Sequence, residues 1–148
     1  MTYDLNCIIP GLAEGKHKFV LEAVDNIGTK TYYTKEFTVA NLDCSNITFT
    51  QTAEKQIKAS VTINNIGTVD ANTILVIALY TSTGGMCAAT VDNGTIIAGK
   101  ELVLEANIDL PATPAECREA GYTVRAFVCD GLDNMKIHVF NDYVNFGL

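Results

Sequence analysis

Residues 56–80 read QIKASVTINNIGTVDANTILVIALY, and this stretch decides the fold class. Apolar and polar side chains alternate from Gln56 to Asn65, which is the pattern of a β-strand with one buried face. A turn-forming segment around Gly67 follows. From Asn72 to Tyr80 the chain is apolar on both faces, which predicts a central strand of a β-sandwich. The stretch therefore predicts two consecutive strands of an all-β protein.

Similar short segments continue to the end of the chain. The predicted strands after residue 43 are Ser45–Gln51, Gln56–Asn65, Asn72–Tyr80, Met86–Val91, Thr95–Ile97, Glu101–Leu110, Tyr122–Asp130 and Met135–Phe140. Residues 40–43 are predicted as a connection, Asp92-Asn93-Gly94 as a turn, and Ala115–Ala120 as a single helical turn. About seven strands at this spacing predict an immunoglobulin-like β-sandwich of antiparallel strands for residues 43–148.

Residues 1–42 form a second, smaller unit. Two alternating runs, Lys16–Asp25 and Lys30–Val39, surround a short Asn/Gly turn and predict an antiparallel N-terminal hairpin. Lys35 interrupts its otherwise apolar face, whose large side chains are Phe19, Leu21, Tyr33, Phe37 and Val39. A lone hairpin is marginally stable in water. We therefore expect this face to dock on the sandwich or to form a homodimer with the same hairpin of a second chain.

Composition and charge exclude several classes of protein. Of 148 residues, 48% are hydrophobic and 18% are charged, which argues against a disordered chain or a coiled coil. The 17 threonines, 13 isoleucines and 12 valines favour strands. A net charge of −7 argues against nucleic acid and anionic membrane surfaces as partners. The longest apolar run, Ile74 to Leu79, is too short for membrane insertion, and we expect no signal peptide at the start of this sequence.

Two stretches resemble known bacterial modules. Residues 15–28, GKHKFVLEAVDNIG, with Phe37-Thr38-Val39, resemble the last two strands of immunoglobulin-like or fibronectin type III-like repeats, so residues 1–42 look like the end of a truncated repeat. Ala71–Leu79, Ala98–Lys100 and Tyr122–Lys136 resemble a module near the ends of large secreted proteins of Gram-positive bacteria. That module often reads V-K-A-F-x-W-D-x-L-x-x-M-K-P, and here Cys129 replaces the tryptophan and Ile137 the proline.

The resemblance implies a non-catalytic accessory module of a larger extracellular or cell-surface bacterial protein. Such a module acts as a spacer or interaction unit whose partners are the neighbouring domains of the parent chain. An alternative is a module that binds a carbohydrate or a host protein through exposed tyrosines and loops. An enzyme would need a cleft with convergent titratable groups, and the sequence shows no such constellation.

Tyr32 and Tyr33 are the candidate ligand-binding residues. Sugar-binding sandwiches use exposed aromatic rings as flat platforms, and this chain has six tyrosines but no tryptophan. Because the two residues are adjacent in a strand, they point to opposite faces, so at least one is expected to be exposed. Packing or protection of a strand edge is the alternative role for both.

Five cysteines are present, and their spacing fits no zinc site, so we predict no metal or cofactor. Cys87 and Cys129 lie in predicted strands and are interpreted as small buried core residues. Disulfide bonds remain open for all five thiols, which are Cys7, Cys44, Cys87, Cys117 and Cys129.

The histidines and acidic turns also receive structural interpretations. His17 and His138 lie in predicted strands, and with only three serines in the chain we predict no catalytic triad. Asp25-Asn26 and the segment Asp130–Asn134 offer oxygen atoms of the kind that bind calcium. They lack the spacing of a calcium loop, so the turn interpretation is favoured.

Overall fold

The computed structural model describes residues 12–130 and 137–143 and confirms an all-β sandwich with an N-terminal hairpin. Within these residues no helix is both long and apolar enough to cross a lipid bilayer. The elements are β1 (Gly15–Val24), β2 (Lys30–Val39), β3 (Leu42–Cys44), β4 (Thr48–Ala53), β5 (Gln56–Asn65), β6 (Ala71–Tyr80), β7 (Met86–Ile96), β8 (Glu101–Asp109), α1 (Pro114–Glu119), β9 (Thr123–Cys129) and β10 (Ile137–Tyr143).

Strands β1 and β2 form the predicted hairpin, with Gly15 opposite Val39 and Val24 opposite Lys30. Its turn is organised by the Asp25 carboxylate, whose Oδ1 accepts hydrogen bonds from the amides of Ile27 (3.0 Å) and Thr29 (2.8 Å). This is the backbone-mimicking geometry for which turns select aspartate. The acidic residue therefore serves the turn, as the sequence interpretation held.

The first sheet of the sandwich is built on β5, with β8 on one edge and β3 and β4 sharing the other. The prediction that residues 40–43 are only a connection is wrong, because Leu42 pairs with Asn65 and Cys44 with Ile63. Without β3, the backbone N–H and C=O groups along this edge of the last residues of β5 would have no strand partner. Between β3 and β4, the Ser45 amide donates a hydrogen bond to the Thr62 carbonyl, 2.9 Å away. This bond continues the pairing along the same edge of β5.

The second sheet has the strand order β10-β9-β6-β7, so β6 is central, as its apolar sequence predicted. The inner faces of the two sheets enclose one continuous core. The largest fully buried apolar side chains are Ile57, Val61, Ile63, Leu75, Ile77, Leu79, Ile96, Leu104, Ile108, Val124 and Val128. Every second residue of β5 is buried, from Ile57 to Asn65, which matches the alternation in the sequence.

The turn predicted at Asp92-Asn93-Gly94 is wrong, because β7 runs unbroken from Met86 to Ile96. Strand β6 pairs with it along this whole length, so the backbone groups of the supposed turn have partners in the sheet. Gly94 serves packing, since a Cβ atom there would lie 2.7 Å from Cδ2 of Leu102. The Asp92 carboxylate accepts a hydrogen bond from the Glu105 amide of β8 at 2.9 Å and so ties the two sheets together.

Two further elements lie close to their predicted positions. Helix α1 begins after Thr113, whose side chain forms a capping box with Glu116. The predicted last strand, Met135–Phe140, overlaps the observed β10, which is Ile137–Tyr143, and Met135 lies outside the described residues.

One buried polar residue fastens the loops at one end of the sandwich. Asn65 is 1% exposed, and its Nδ2 donates to the carbonyls of Val69 (2.8 Å) and Ile96 (3.1 Å). Its Oδ1 accepts from the Gly67 amide at 3.1 Å. The side chain thereby joins the end of β5 to the end of β7 with its amide hydrogen-bonding capacity largely used.

Candidate interaction surfaces

The outer face of the sheet β10-β9-β6-β7 is apolar, whereas the solvated face of an antiparallel sheet is usually polar. The register aligns Val91, Val76, Phe127 and Phe140 in one row across all four strands. Val76 faces outward because its neighbours Leu75 and Ile77 are buried in the core. We use the name outer apolar face for six residues, which are Ile74, Val76, Val91, Phe127, Ile137 and Phe140.

The large side chains of this face lie on its β9–β10 side. The rings of Phe127 and Phe140 stack with their centroids 5.4 Å apart. Phe140 is nevertheless 48% exposed, and Val91 on the opposite edge is 49% exposed. Beside this row, the Arg125 guanidinium lies 4.9 Å from the centroid of the Tyr80 ring. The face is therefore an apolar surface with a cation–π pair at its border.

The outer face of the other sheet has the usual polar character. Lys58 Nζ of β5 and Glu105 Oε1 of β8 form an ion pair at 2.8 Å. Gln56 donates to the Asp109 carboxylate at 2.8 Å. Val103 is an isolated apolar residue there and is 50% exposed. The contrast between the two faces marks the outer apolar face as the surface that differs from ordinary solvated sheet.

Sequence reasoning did not identify this surface. Its signal was present, because β6 is apolar on both faces, but that pattern was attributed to burial in a sandwich. The structure buries Leu75, Ile77 and Leu79 in the core and leaves Ile74 and Val76 half-buried on the outside. Nothing local in the sequence specifies which of two apolar faces a second layer will cover.

Tyr32 and Tyr33, the candidate ligand-binding residues, are each 58% exposed. They lie on opposite faces of the hairpin, since Tyr32 is opposite Glu22 and Tyr33 opposite Leu21. A hydrogen bond to Glu22 raises the pKa of Tyr32, and an ion pair with Lys30 contributes most to lowering the pKa of that glutamate. The two rings therefore do not form one shared platform.

The two histidines are placed separately. His17 Nε2 lies 2.7 Å from the Ala13 carbonyl oxygen, and its ring stacks on Phe37 at 5.6 Å. His138 pairs through Nε2 with the Asp130 carboxylate, and both side chains are largely buried. Among the described residues, no group of three or more histidine, cysteine and acidic side chains is placed to hold a metal ion. Residues 131–134 of the second acidic turn lie outside the described part of the chain.

The four described cysteines are free thiols, and Cys7 lies outside the described residues. Cys129 is buried, as interpreted, and Cys117 is buried as well. Cys87 is exposed, so the interpretation of it as a core residue is wrong. It lies near the start of β7, which is an edge strand of its sheet. Burial, together with the charge of Asp130, raises the pKa of the Cys129 thiol.

The sequence matches no protein-family model and no curated protein sequence. Among solved structures, it is similar to β-glucuronidase 2 of Bacteroides uniformis, with 18% identity over 68% of this chain and a TM-score of 0.44. Similarity also extends to β-glucosidase 3B of Thermotoga neapolitana (9% identity, 74% of this chain, TM-score 0.46). A β-glucosidase of Streptomyces venezuelae has 11% identity over 72% of this chain and a TM-score of 0.47.

The chain spans only a small part of these enzymes, namely 12% of the first, 16% of the second and 15% of the third. At such identities and TM-scores, the similarities carry no argument about an activity or a substrate of this chain. The molecule is defined by its own features, as an immunoglobulin-like β-sandwich with an outer apolar face and an appended hairpin.

Proposed function

We propose that this chain is a non-catalytic module of a larger extracellular bacterial protein, in which it acts as a spacer and contacts other domains through its surface. The observation that carries the proposal is the outer apolar face. Contiguous exposed apolar surface on a folded domain marks a site of protein contact. Here it lies on the outer face of a four-stranded sheet, which suits packing against another extended protein surface.

The bacterial and extracellular context rests on the resemblance of Tyr122–Lys136 to a module of secreted Gram-positive proteins. The fold is compatible with that role, since a sandwich with a continuous core is stable on its own and separates whatever precedes it from whatever follows it. Cys129 and Cys117, which are buried free thiols, stay protected from oxidation in such an environment.

The hairpin supplies a second contact surface. Its described contacts with the sandwich include a hydrogen bond of 2.6 Å, which the Thr68 amide donates to Glu14 Oε1. A hairpin held mainly at its base keeps its apolar side chains, such as Leu21, available to a neighbouring domain or to a second hairpin. Light scattering at two protein concentrations tests pairing between hairpins, because a concentration-independent monomer rejects it.

Hydrophobic-interaction chromatography at micromolar concentration tests the contact role. Phe140→Lys places a charge on the outer apolar face, and Val103→Lys places the same charge at a residue of equal exposure on the other sheet. We expect F140K to elute well before the wild-type chain and V103K to elute close to it. Equal shifts for the two variants would contradict a special contact role for the outer apolar face.

The non-catalytic role has its own test. The wild-type chain is incubated with a panel of p-nitrophenyl glycosides and esters, and release of nitrophenolate is followed against a buffer blank. We expect no turnover. Sustained turnover would overturn the proposal, and so would glycan-array binding that Tyr32→Ala or Tyr33→Ala abolishes, since it would indicate a carbohydrate-binding module instead.

A further inference from the structure

We propose that the outer apolar face binds the same face of a second copy of this chain, forming a two-fold symmetric dimer. The inference rests on the proposed contact role of that face and names its partner, which is a second copy of this chain. Three features of the face favour self-association, namely its charge, its shape and its area.

The charge favours this face over the rest of the surface. The chain carries a net charge of −7, so two copies repel each other wherever acidic groups meet. On this sheet the described charged side chain nearest the apolar row is that of Arg125, which lies beside the Tyr80 ring at its border. The six residues of the outer apolar face carry no charge, whereas the other outer face presents Lys58, Glu105 and Asp109. Two copies meet with least repulsion through their outer apolar faces.

The shape of the face is self-complementary. Side chains increase in size across it, from Ala89 and Val91 on β7 to Phe127 and Phe140 on β10 and its neighbour β9. A two-fold axis parallel to the strands superimposes β10 of one copy on β7 of the other. The phenylalanines of each copy then pack over the small side chains of its partner, which is how facing layers interdigitate.

The area of the face indicates a weak, transient dimer. A ten-residue strand such as β6 is about 33 Å long, and four strands are about 19 Å wide. The face therefore offers about 600 Å² per copy, compared with about 800 Å² in a standard stable interface. We expect a reversible dimer with a Kd of about 10–100 µM, in the range of small transient interfaces.

Sedimentation equilibrium of the full chain tests the proposal, with a reducing agent present because Cys87 is exposed. We expect a monomer–dimer equilibrium in the wild-type chain. Phe140→Lys and Val91→Lys each raise the Kd at least tenfold, although they lie on opposite edge strands. Val103→Lys leaves the Kd unchanged, and Leu21→Lys, on the hairpin, does the same. Circular dichroism confirms that each variant is folded, since the three sandwich residues replaced are about half exposed.

Three results would overturn the inference. The first is a wild-type chain that stays monomeric up to about 1 mM, well above the Kd expected for an interface of this size. The second is a dimer that F140K and V91K leave intact, and the third is a dimer that L21K alone dissociates. None of these results touches the proposed function, which chromatography and the turnover panel test separately.

Discussion

The buried side chain of Asn65 offers the sharpest test of how the sandwich is held together. Asn65→Asp changes one NH₂ group into an oxygen and leaves the shape of the side chain intact. Two donors are lost, and a carboxylate oxygen then faces the carbonyl oxygens of Val69 and Ile96, which the native Nδ2 approaches to 2.8 and 3.1 Å. The buried position prevents water from replacing the lost partners fully.

The magnitude follows from the number of polar groups that lose a partner. A buried group without its hydrogen bond costs about 1–3 kcal/mol, and the bond to Ile96 is the more deeply buried of the two. With two such groups and an unfavourable charge, we expect N65D to lower the free energy of unfolding by about 4 kcal/mol at pH 7. With a urea m-value of about 2 kcal/mol/M, the midpoint falls by about 2 M.

The loss should also depend on pH. Two carbonyl oxygens disfavour the charged form, so the pKa of the new carboxyl is expected to be higher in the folded than in the unfolded chain. Below the unfolded value of about 3.9 the group is neutral in both states and can donate one hydrogen bond. The destabilisation is therefore smallest there and grows as the pH rises towards the folded pKa.

Urea unfolding followed by far-ultraviolet circular dichroism at pH 3.5 and pH 7 measures both effects. Asn107→Asp is the matched control, because Asn107 is exposed on β8 and the change in net charge is the same. We expect N107D to stay within about 0.5 kcal/mol of the wild-type chain. The reasoning is refuted if N65D matches N107D, or if its deficit is the same at both pH values.

Three further predictions concern packing, capping and thiol exposure. Gly94→Ala should lower Tm by about 3–6 °C in a calorimetric scan, because the added Cβ meets a β8 leucine at 2.7 Å. Thr113→Ala should lower Tm by about 3 °C at pH 7 because it removes the N-cap of α1. The hydrogen bond from Thr113 lowers the pKa of Glu116 below its ordinary value of 4.5, so this contribution is present above that pH and disappears as the pH falls through the lowered pKa. Timed alkylation with mass spectrometry should modify Cys87 rapidly and Cys129 only after unfolding, given their opposite exposure.

Each of these predictions has a matched comparison. Gly85→Ala adds a Cβ that meets its nearest atom at an ordinary 3.5 Å, so it should leave Tm nearly unchanged. An equal fall in both glycine variants would contradict the packing role of Gly94. Thr113→Ser keeps the capping oxygen and should restore most of the lost Tm. Equal alkylation rates for the two thiols in the native chain would contradict the burial of Cys129.

The strands whose side chains alternate were predictable because alternation is a local pattern. Strand β5 was predicted as Gln56–Asn65 and is observed with the same bounds, since one of its faces is buried and the other is not. The hairpin was predictable for a similar reason, because Asp25 organises the turn between two alternating runs through local hydrogen bonds.

The predictions from the sequence were wrong where residues distant in the chain decide the structure. Asp92-Asn93-Gly94 has the composition of a turn, yet β6 pairs with it and the Leu102 side chain packs close to the glycine. Strand β3 is a short segment that pairs with the end of β5, because β4 pairs only with the earlier part of that edge. Which apolar face of β6 is covered likewise depends on the second sheet, so the outer apolar face became visible only in three dimensions.

Hydroxyl-radical footprinting of the wild-type chain at about 5 µM and about 500 µM, on either side of the Kd expected from the interface area, tests the central claim most directly. The method reads side-chain exposure residue by residue, and Phe140 and Tyr33 are both about half exposed in the single chain. If the outer apolar face is the contact surface, Phe140 becomes severalfold less oxidised at the higher concentration while Tyr33 does not change. Protection of Tyr33 with Phe140 unchanged would contradict the claim and assign the contact to the hairpin.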